Sequence, residues 1–98
     1  MNVIRYIWKY ELNLNKEQSI KVPRNSKILS VQNQLGALCL WLEFPKVSTD
    51  DDFYEYRNFM IFGTGHPIDF DDKNYDIKYI STVQIDSFVW HIYEKIKN

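Results

Sequence analysis

A chain of 98 residues with a formal net charge of −1, 12 Lys and Arg against 13 Asp and Glu, has room for one folded domain. Its 45% hydrophobic and 16% aromatic content excludes intrinsic disorder, and three Gly with three Pro exclude collagen-like or low-complexity sequence. No apolar run nears the roughly 20 residues of a membrane helix, Arg5, Lys9 and Glu11 interrupt any signal-peptide core, and the single Cys39 has no intrachain partner, so a cytoplasmic domain spanning 1–98 is expected.

Strand periodicity runs along nearly the whole chain. Tyr6, Trp8, Tyr10 and Leu12 alternate with Ile7, Lys9 and Glu11, the period of two of a half-buried strand. Gln18 to Val22 forms a short second strand closed by Pro23, which cannot donate to a ladder. Lys27 to Gln34 and Ala37 to Phe44 flank Leu35-Gly36, a hairpin turn with the permissive backbone at Gly36. Leu38, Leu40, Leu42 and Phe44 on one face, with Ala37, Cys39 and Trp41 on the other, predict a central strand covered on both sides. Arg57 to Gly63 reads the same way through Phe59-Met60-Ile61-Phe62. Lys78 to Ile85, a turn at Asp86-Ser87, and Phe88 to Ile96 predict a final hairpin, with a terminal helix over Val89 to Lys97 as the alternative. The fold class is therefore mainly β: a small antiparallel β-sandwich or barrel-like domain of six to seven strands, with room for one short helix.

Two connections are long, about Pro45 to Tyr56 and Thr64 to Asp76, and loops of that length are usually functional or mobile. The first carries Thr49-Asp50-Asp51-Asp52, a solvated acidic run able to cap one helical turn. The second opens with Phe62-Gly63-Thr64-Gly65-His66-Pro67. Glycines flanking a threonine let successive amides point into one concavity, a nest for phosphate or carboxylate, although a tight turn of positive φ explains the same residues. It is no P-loop, because Gly-x-x-x-x-Gly-Lys is missing.

Other chemistry finds less material. A catalytic zinc site wants three converging ligands, and the chain offers only His66 and His91 beside its aspartates, so no metal is expected. His91, inside Trp90-His91-Ile92-Tyr93, reads as a core or interface histidine bonded to backbone. From Asp69, the fifth, sixth and twelfth positions are Lys73, Asn74 and Ile80, which rules out an EF-hand loop. Ser30, Ser81, Ser87, Thr64 and Cys39 sit in no nucleophile elbow, and Cys39 between two leucines reads as a small hydrophobe, so catalysis is not expected. Residues 1–46 hold seven basic and three acidic side chains and 47–98 five and ten, so the basic excess that duplex DNA requires is absent.

Three Trp, seven Tyr and six Phe remain. Most of Trp8, Trp41, Phe44, Phe59, Phe62 and Trp90 are expected in the core, whereas Tyr54, Tyr56, Phe70, Tyr75 and Tyr79 lie in or beside the long loops. Arg57 could bind phosphate bidentately or pair with local aspartates. Gln32, Gln34, Thr82 and Gln84 read as solvent-facing ladder positions. Aromatic strands apolar on both faces point to a homodimer or higher homo-oligomer.

Trp8-Lys9-Tyr10, Ile28-Leu29-Ser30-Val31-Gln32-x-Gln34, Leu40-Trp41, Phe62-Gly63-Thr64-Gly65-His66-Pro67-Ile68, Thr82-x-Gln84 and Phe88-Val89-Trp90-His91-x-Tyr93-Glu94 together resemble a family of small, mostly uncharacterised proteins of tailed bacteriophages and prophages. Ser81 departs from the glycine that members carry there. The resemblance implies infected bacterial cytoplasm and an accessory protein acting on host machinery or signals, one class of which sequesters nucleotide immune signals such as cyclic oligonucleotides and ADP-ribose derivatives. For such a ligand Gly63, Thr64, Gly65 and His66 would meet phosphate or ribose, Arg57 would add charge, and Tyr56, Tyr79 or Trp90 would stack on a base. Turnover and cofactors are not expected. The alternative is a protein-interaction module inhibiting a defence effector, docking through exposed aromatics and the acidic stretch Asp50 to Glu55.

Overall fold

Alternation of apolar and polar residues settles into seven strands. The computed structural model describes residues 2–14, 16–46 and 51–98. They form β1 (Arg5–Leu12), β2 (Gln18–Pro23), β3 (Lys27–Gln34), β4 (Ala37–Pro45), β5 (Tyr54–Gly63), β6 (Tyr75–Ile85) and β7 (Phe88–Lys97), with one 3-10 turn at Asp51–Phe53. All pairings are antiparallel, in a three-stranded sheet of order β1-β4-β3 and a four-stranded sheet of order β2-β5-β7-β6. Among the described residues no helix is long and apolar enough to cross a membrane.

β4 is central in its sheet and β5 in the other, as their apolar content predicts. Leu38, Leu40 and Leu42 from β4 meet Phe59 and Ile61 from β5, Ile92 from β7, and Val83 and Ile85 from β6 in one core. The opposite face of β4 is covered differently. Cys39 is buried there, and Lys9 Nζ donates to Gln34 Oε1 at 2.7 Å across strands that flank β4 on either side. The final segment is a strand and not a helix, because β7 lies between β5 and β6 and hydrogen-bonds to both neighbours.

Boundaries shift outward where charged residues dilute the pattern: β5 starts at Tyr54 and β6 at Tyr75, three residues before each expected start. Of the acidic run, residues 49 and 50 lie outside the described residues. The Asp71 carboxylate ties the turn before β6, accepting from Asn74 Nδ2 at 2.6 Å and Lys73 N at 3.1 Å, bonds that hold its carboxyl below the usual carboxylate range.

The hairpin between β3 and β4 has positive φ at both turn residues, Leu35 (52°) and Gly36 (88°), the backbone of a two-residue turn whose twist matches the strands. Leu35 is fully exposed and makes no use of its side chain. Leu35→Asn should therefore raise stability by up to about 1 kcal/mol, since asparagine tolerates the left-handed region better. Thermal unfolding should show a gain of a few degrees, and a loss would mean that the turn's strain lies elsewhere.

The two layers do not cover each other completely. The Cα radius of gyration is 14.6 Å, against about 13 Å for a compact domain of 100 residues. The sheets approach through β3 and β6, where Ser81 Oγ reaches the Val31 carbonyl at 3.4 Å, while β1 stands away with seven of its eight residues not buried. Trp8, expected in the core, is 42% exposed in consequence, whereas Phe44 beneath Tyr6 and Trp8 is fully buried. Trp41, Phe62 and Trp90 are half-buried, and Phe59 has no exposed surface.

Candidate functional site

The Gly-Thr-Gly-His segment caps the end of β5. Gly63 pairs with Trp90 across β7, Thr64 N donates to the Val89 carbonyl at 3.2 Å, and His66 N donates to the Gly63 carbonyl at 3.0 Å. Gly63 N donates to His66 Nδ1 at 3.2 Å, so the imidazole folds back over its own turn. A β-carbon on Gly63 would sit 2.8 Å from His66 Cε1, a distance that real side chains do not tolerate. Gly65 takes φ 91° at the tip with open space around it. Three of the four amides that a nest could aim at an anion are thus engaged within the fold. The Gly65 amide lies beside them at the tip, and the Thr64 side chain becomes the main polar group of the turn.

Thr64 leads into a row of hydroxyls and an imidazole on the outer face of the four-stranded sheet. Thr64 Oγ1 lies 2.8 Å from His91 Nε2, Thr82 Oγ1 lies 3.0 Å from His91 Nδ1, and Tyr79 Oη lies 2.6 Å from Thr82 Oγ1. Each hydroxyl can donate or accept, so the row accommodates either neutral tautomer of His91 or the imidazolium. A parallel row of rings runs beside it: Phe62 and Tyr93 meet edge-on at 5.8 Å, and Tyr93 and Tyr79 at 5.5 Å. Tyr79 is 54% exposed.

Two shallow grooves border this face. One of about 270 Å³ runs between the 63–66 turn, His91 and Tyr93. Another of about 430 Å³ lies on the far side of His66 and brings Lys16 and Asp69 beside the same imidazole. Next to Lys16, Glu17 accepts from Lys95 Nζ at 2.9 Å, a bond that raises the Lys95 pKa, and that ammonium also lies 4.2 Å from the Tyr75 ring centroid.

The other expected site residues point elsewhere. Arg57 faces the inter-sheet side, where Nε and Nη2 donate to the two Glu94 carboxylate oxygens at 2.6 and 2.7 Å and Nη1 donates to the Ser26 carbonyl at 2.7 Å. The Glu94 bond raises the Arg57 pKa. With Lys27, Lys78 and Tyr79, this pair lines a cleft of about 530 Å³ between the sheets. Tyr56 is 68% exposed near the start of β5, toward the opposite end from Gly63. Trp90 packs against the core, and its buried indole Nε1 has no hydrogen-bond partner. The structure thus brings Gly63, Thr64, Gly65, His66 and, through Thr82, Tyr79 together, sets Trp90 beside Gly63, Thr64 and His66 along a further groove of about 400 Å³, places Arg57 in the inter-sheet cleft that Tyr79 also lines, and leaves Tyr56 apart from the turn.

His91 is the residue that sequence reasoning undervalued: its ring is bonded to two hydroxyls and not to backbone. The signal was present, because a two-residue turn at Asp86-Ser87 sets Thr82 directly opposite His91 in the hairpin. An imidazole against a threonine hydroxyl has the spacing of a base and nucleophile. Here the second ring nitrogen meets another hydroxyl where hydrolases place a carboxylate. Among the described residues no three His, Cys, Asp or Glu side chains converge as metal ligands.

A family model described as "Domain of unknown function (DUF7352)" matches residues 3–98, nearly the whole chain. The chain belongs to the DUF7352 family. No curated protein and no solved structure matches it. In this DUF7352 domain the polar row and the ring row are the features that most need a functional account, since neither is required to close the core.

Proposed function

We propose that this DUF7352 domain is a non-catalytic receptor for a small phosphorylated, nucleotide-type ligand seated on the outer face of the four-stranded sheet. The observation that carries the reading is the polar row Thr64–His91–Thr82–Tyr79 lying beside exposed ring faces. The Thr64 hydroxyl, held from behind by His91 Nε2, and the Gly65 amide supply donors for phosphate, with His66 and Lys16 at the rim. Stacking on the Tyr79 ring adds about 1–3 kcal/mol per base. The resemblance to phage-encoded proteins extends the proposal to biology: a phage accessory protein that sequesters a cyclic oligonucleotide or ADP-ribose derivative in the cytoplasm of an infected bacterium, as a homodimer or higher oligomer, without a cofactor.

A specific observation also favours the interaction-module reading. The exposed apolar side chains of Val3, Ile4, Ile7 and Trp8 lie on or next to a strand whose outer edge is unpaired, a surface suited to a protein partner. The acidic stretch assigned to that role is partly built into the fold, since Arg24 donates to the Asp52 carbonyl and lies 3.5 Å from Glu55.

The two readings separate in a thermal-shift panel of cyclic oligonucleotides and ADP-ribose derivatives, followed by denaturation and recovery of any ligand that shifts the protein. Ligand at about 100 times its Kd adds about 2.7 kcal/mol, worth roughly 4–8 °C per kcal/mol in a domain of this size. A shift with ligand recovered intact is the expected result. Recovery of altered ligand would make the domain an enzyme, and a silent panel would move the function to protein binding.

A further inference from the structure

Four strands stand at sheet edges, and three of them carry features that discourage pairing with another chain. β2 is six residues long and ends in Pro23. β3 breaks register between Ile28 and Ser30, and β6 between Tyr79 and Ser81. β1 has none of these: eight residues pair with β4 in unbroken register. Lys46 N donates to the Ile4 carbonyl at 3.1 Å, which sets the even-numbered residues facing β4. The amides and carbonyls of Arg5, Ile7, Lys9 and Glu11 therefore point out of the open edge.

We infer that β1 pairs with β1 of a second copy of this chain, antiparallel about a two-fold axis at Trp8, joining two three-stranded sheets into one of six strands. The sequence of the edge selects this partner and register. With the axis at Trp8, Arg5 stands opposite the second copy's Glu11 and Ile7 opposite its Lys9, and these outward-facing residues form the hydrogen-bonded pairs. On the other face Trp8 meets Trp8 and Tyr6 meets Tyr10, which covers the 42% of Trp8 and 43% of Tyr6 that the second sheet leaves exposed. Glu11, which has no ion pair among the described residues, gains as its partner Arg5, whose guanidinium lies 3.5 Å from Glu43 of its own chain through Nη1 and keeps further donors for a second carboxylate. Slipping by two residues, the smallest slip that keeps the faces in phase, sets Arg5 against Lys9 in one direction and Lys9 against Lys9 in the other. Like charges directly opposite destabilise a strand pair. The interface uses no residue of the ligand face.

Charge reversal with complementation tests both the partner and the register. The wild-type chain should sediment as a dimer over about 1–100 μM. Arg5→Glu sets Glu against Glu, and Glu11→Arg sets Arg against Arg, so each variant alone should dissociate at least tenfold more readily. An equimolar mixture restores both opposite-charge pairs and should recover the dimer. Circular dichroism and thermal unfolding of each variant confirm that the fold is kept. A wild-type monomer throughout the range would overturn the inference. So would single variants as dimeric as the wild type, or a mixture that stays monomeric. Should either variant fail to fold, slowed amide exchange at Ile7 and Lys9 on raising wild-type concentration remains decisive: no change would overturn β1 pairing.

Discussion

Arg57→Met is expected to lower the stability of the fold by about 3 kcal/mol, near the low end of the cost of stranding one member of a buried ion pair. The low end applies because the Arg57 side chain keeps 18% of its surface exposed, against 9% for Glu94. Thermal unfolding should show a loss on the order of 10–20 °C. Glu94→Gln, which keeps an oxygen facing the guanidinium, should cost less than Arg57→Met. The double variant Arg57→Met/Glu94→Leu should recover most of the loss, because a well-packed apolar pair often equals a buried ion pair. A double variant no more stable than Arg57→Met would show that the pair's contribution is specific to its charges.

The position of Arg57 also marks where sequence reading stopped. Alternation in Leu38, Leu40, Leu42 and Phe44 carries enough information to make β4 a central strand, and two-residue turns at Leu35-Gly36 and Asp86-Ser87 fix two hairpins. Period two also sets Arg57 on the same face as Phe59 and Ile61, which is the buried side. What the pattern does not encode is the partner: Glu94 lies 37 positions away and meets Arg57 only once β5 and β7 are neighbours. Trp8 shows the complementary gap. Its alternation with Ile7 and Lys9 marks a strand, but whether the second sheet extends far enough to cover it depends on how the layers are offset. The Gly63–His66 turn was legible as a turn, whereas the return of the His66 ring onto Gly63 N depended on a rotamer that composition does not reveal.

If the polar row holds the ligand, His91→Phe should weaken binding by about 10- to 150-fold, the equivalent of one hydrogen bond to a charged group at about 1.5–3 kcal/mol. The fold should change by less than about 1 kcal/mol, because the ring keeps its packing and the Thr64 and Thr82 hydroxyls are exposed enough to turn to water. Thr64→Val removes the same contact from the other side at nearly constant volume, and the two losses should be far from additive, since both substitutions break one unit. Gly63→Ala reaches the site by another route. The new methyl group would occupy the space of the His66 ring, 2.8 Å from Cε1, so the imidazole must swing out and release Gly63 N. Its expected signature is a moved His66 ring resonance with His91 unchanged, and weakened binding only if His66 touches the ligand. Isothermal titration of the three variants against whichever compound stabilises the wild type separates these outcomes. Equal affinity for wild type and His91→Phe would take the ligand off this face and redirect attention to the basic cleft lined by Lys27, Lys78 and Arg57.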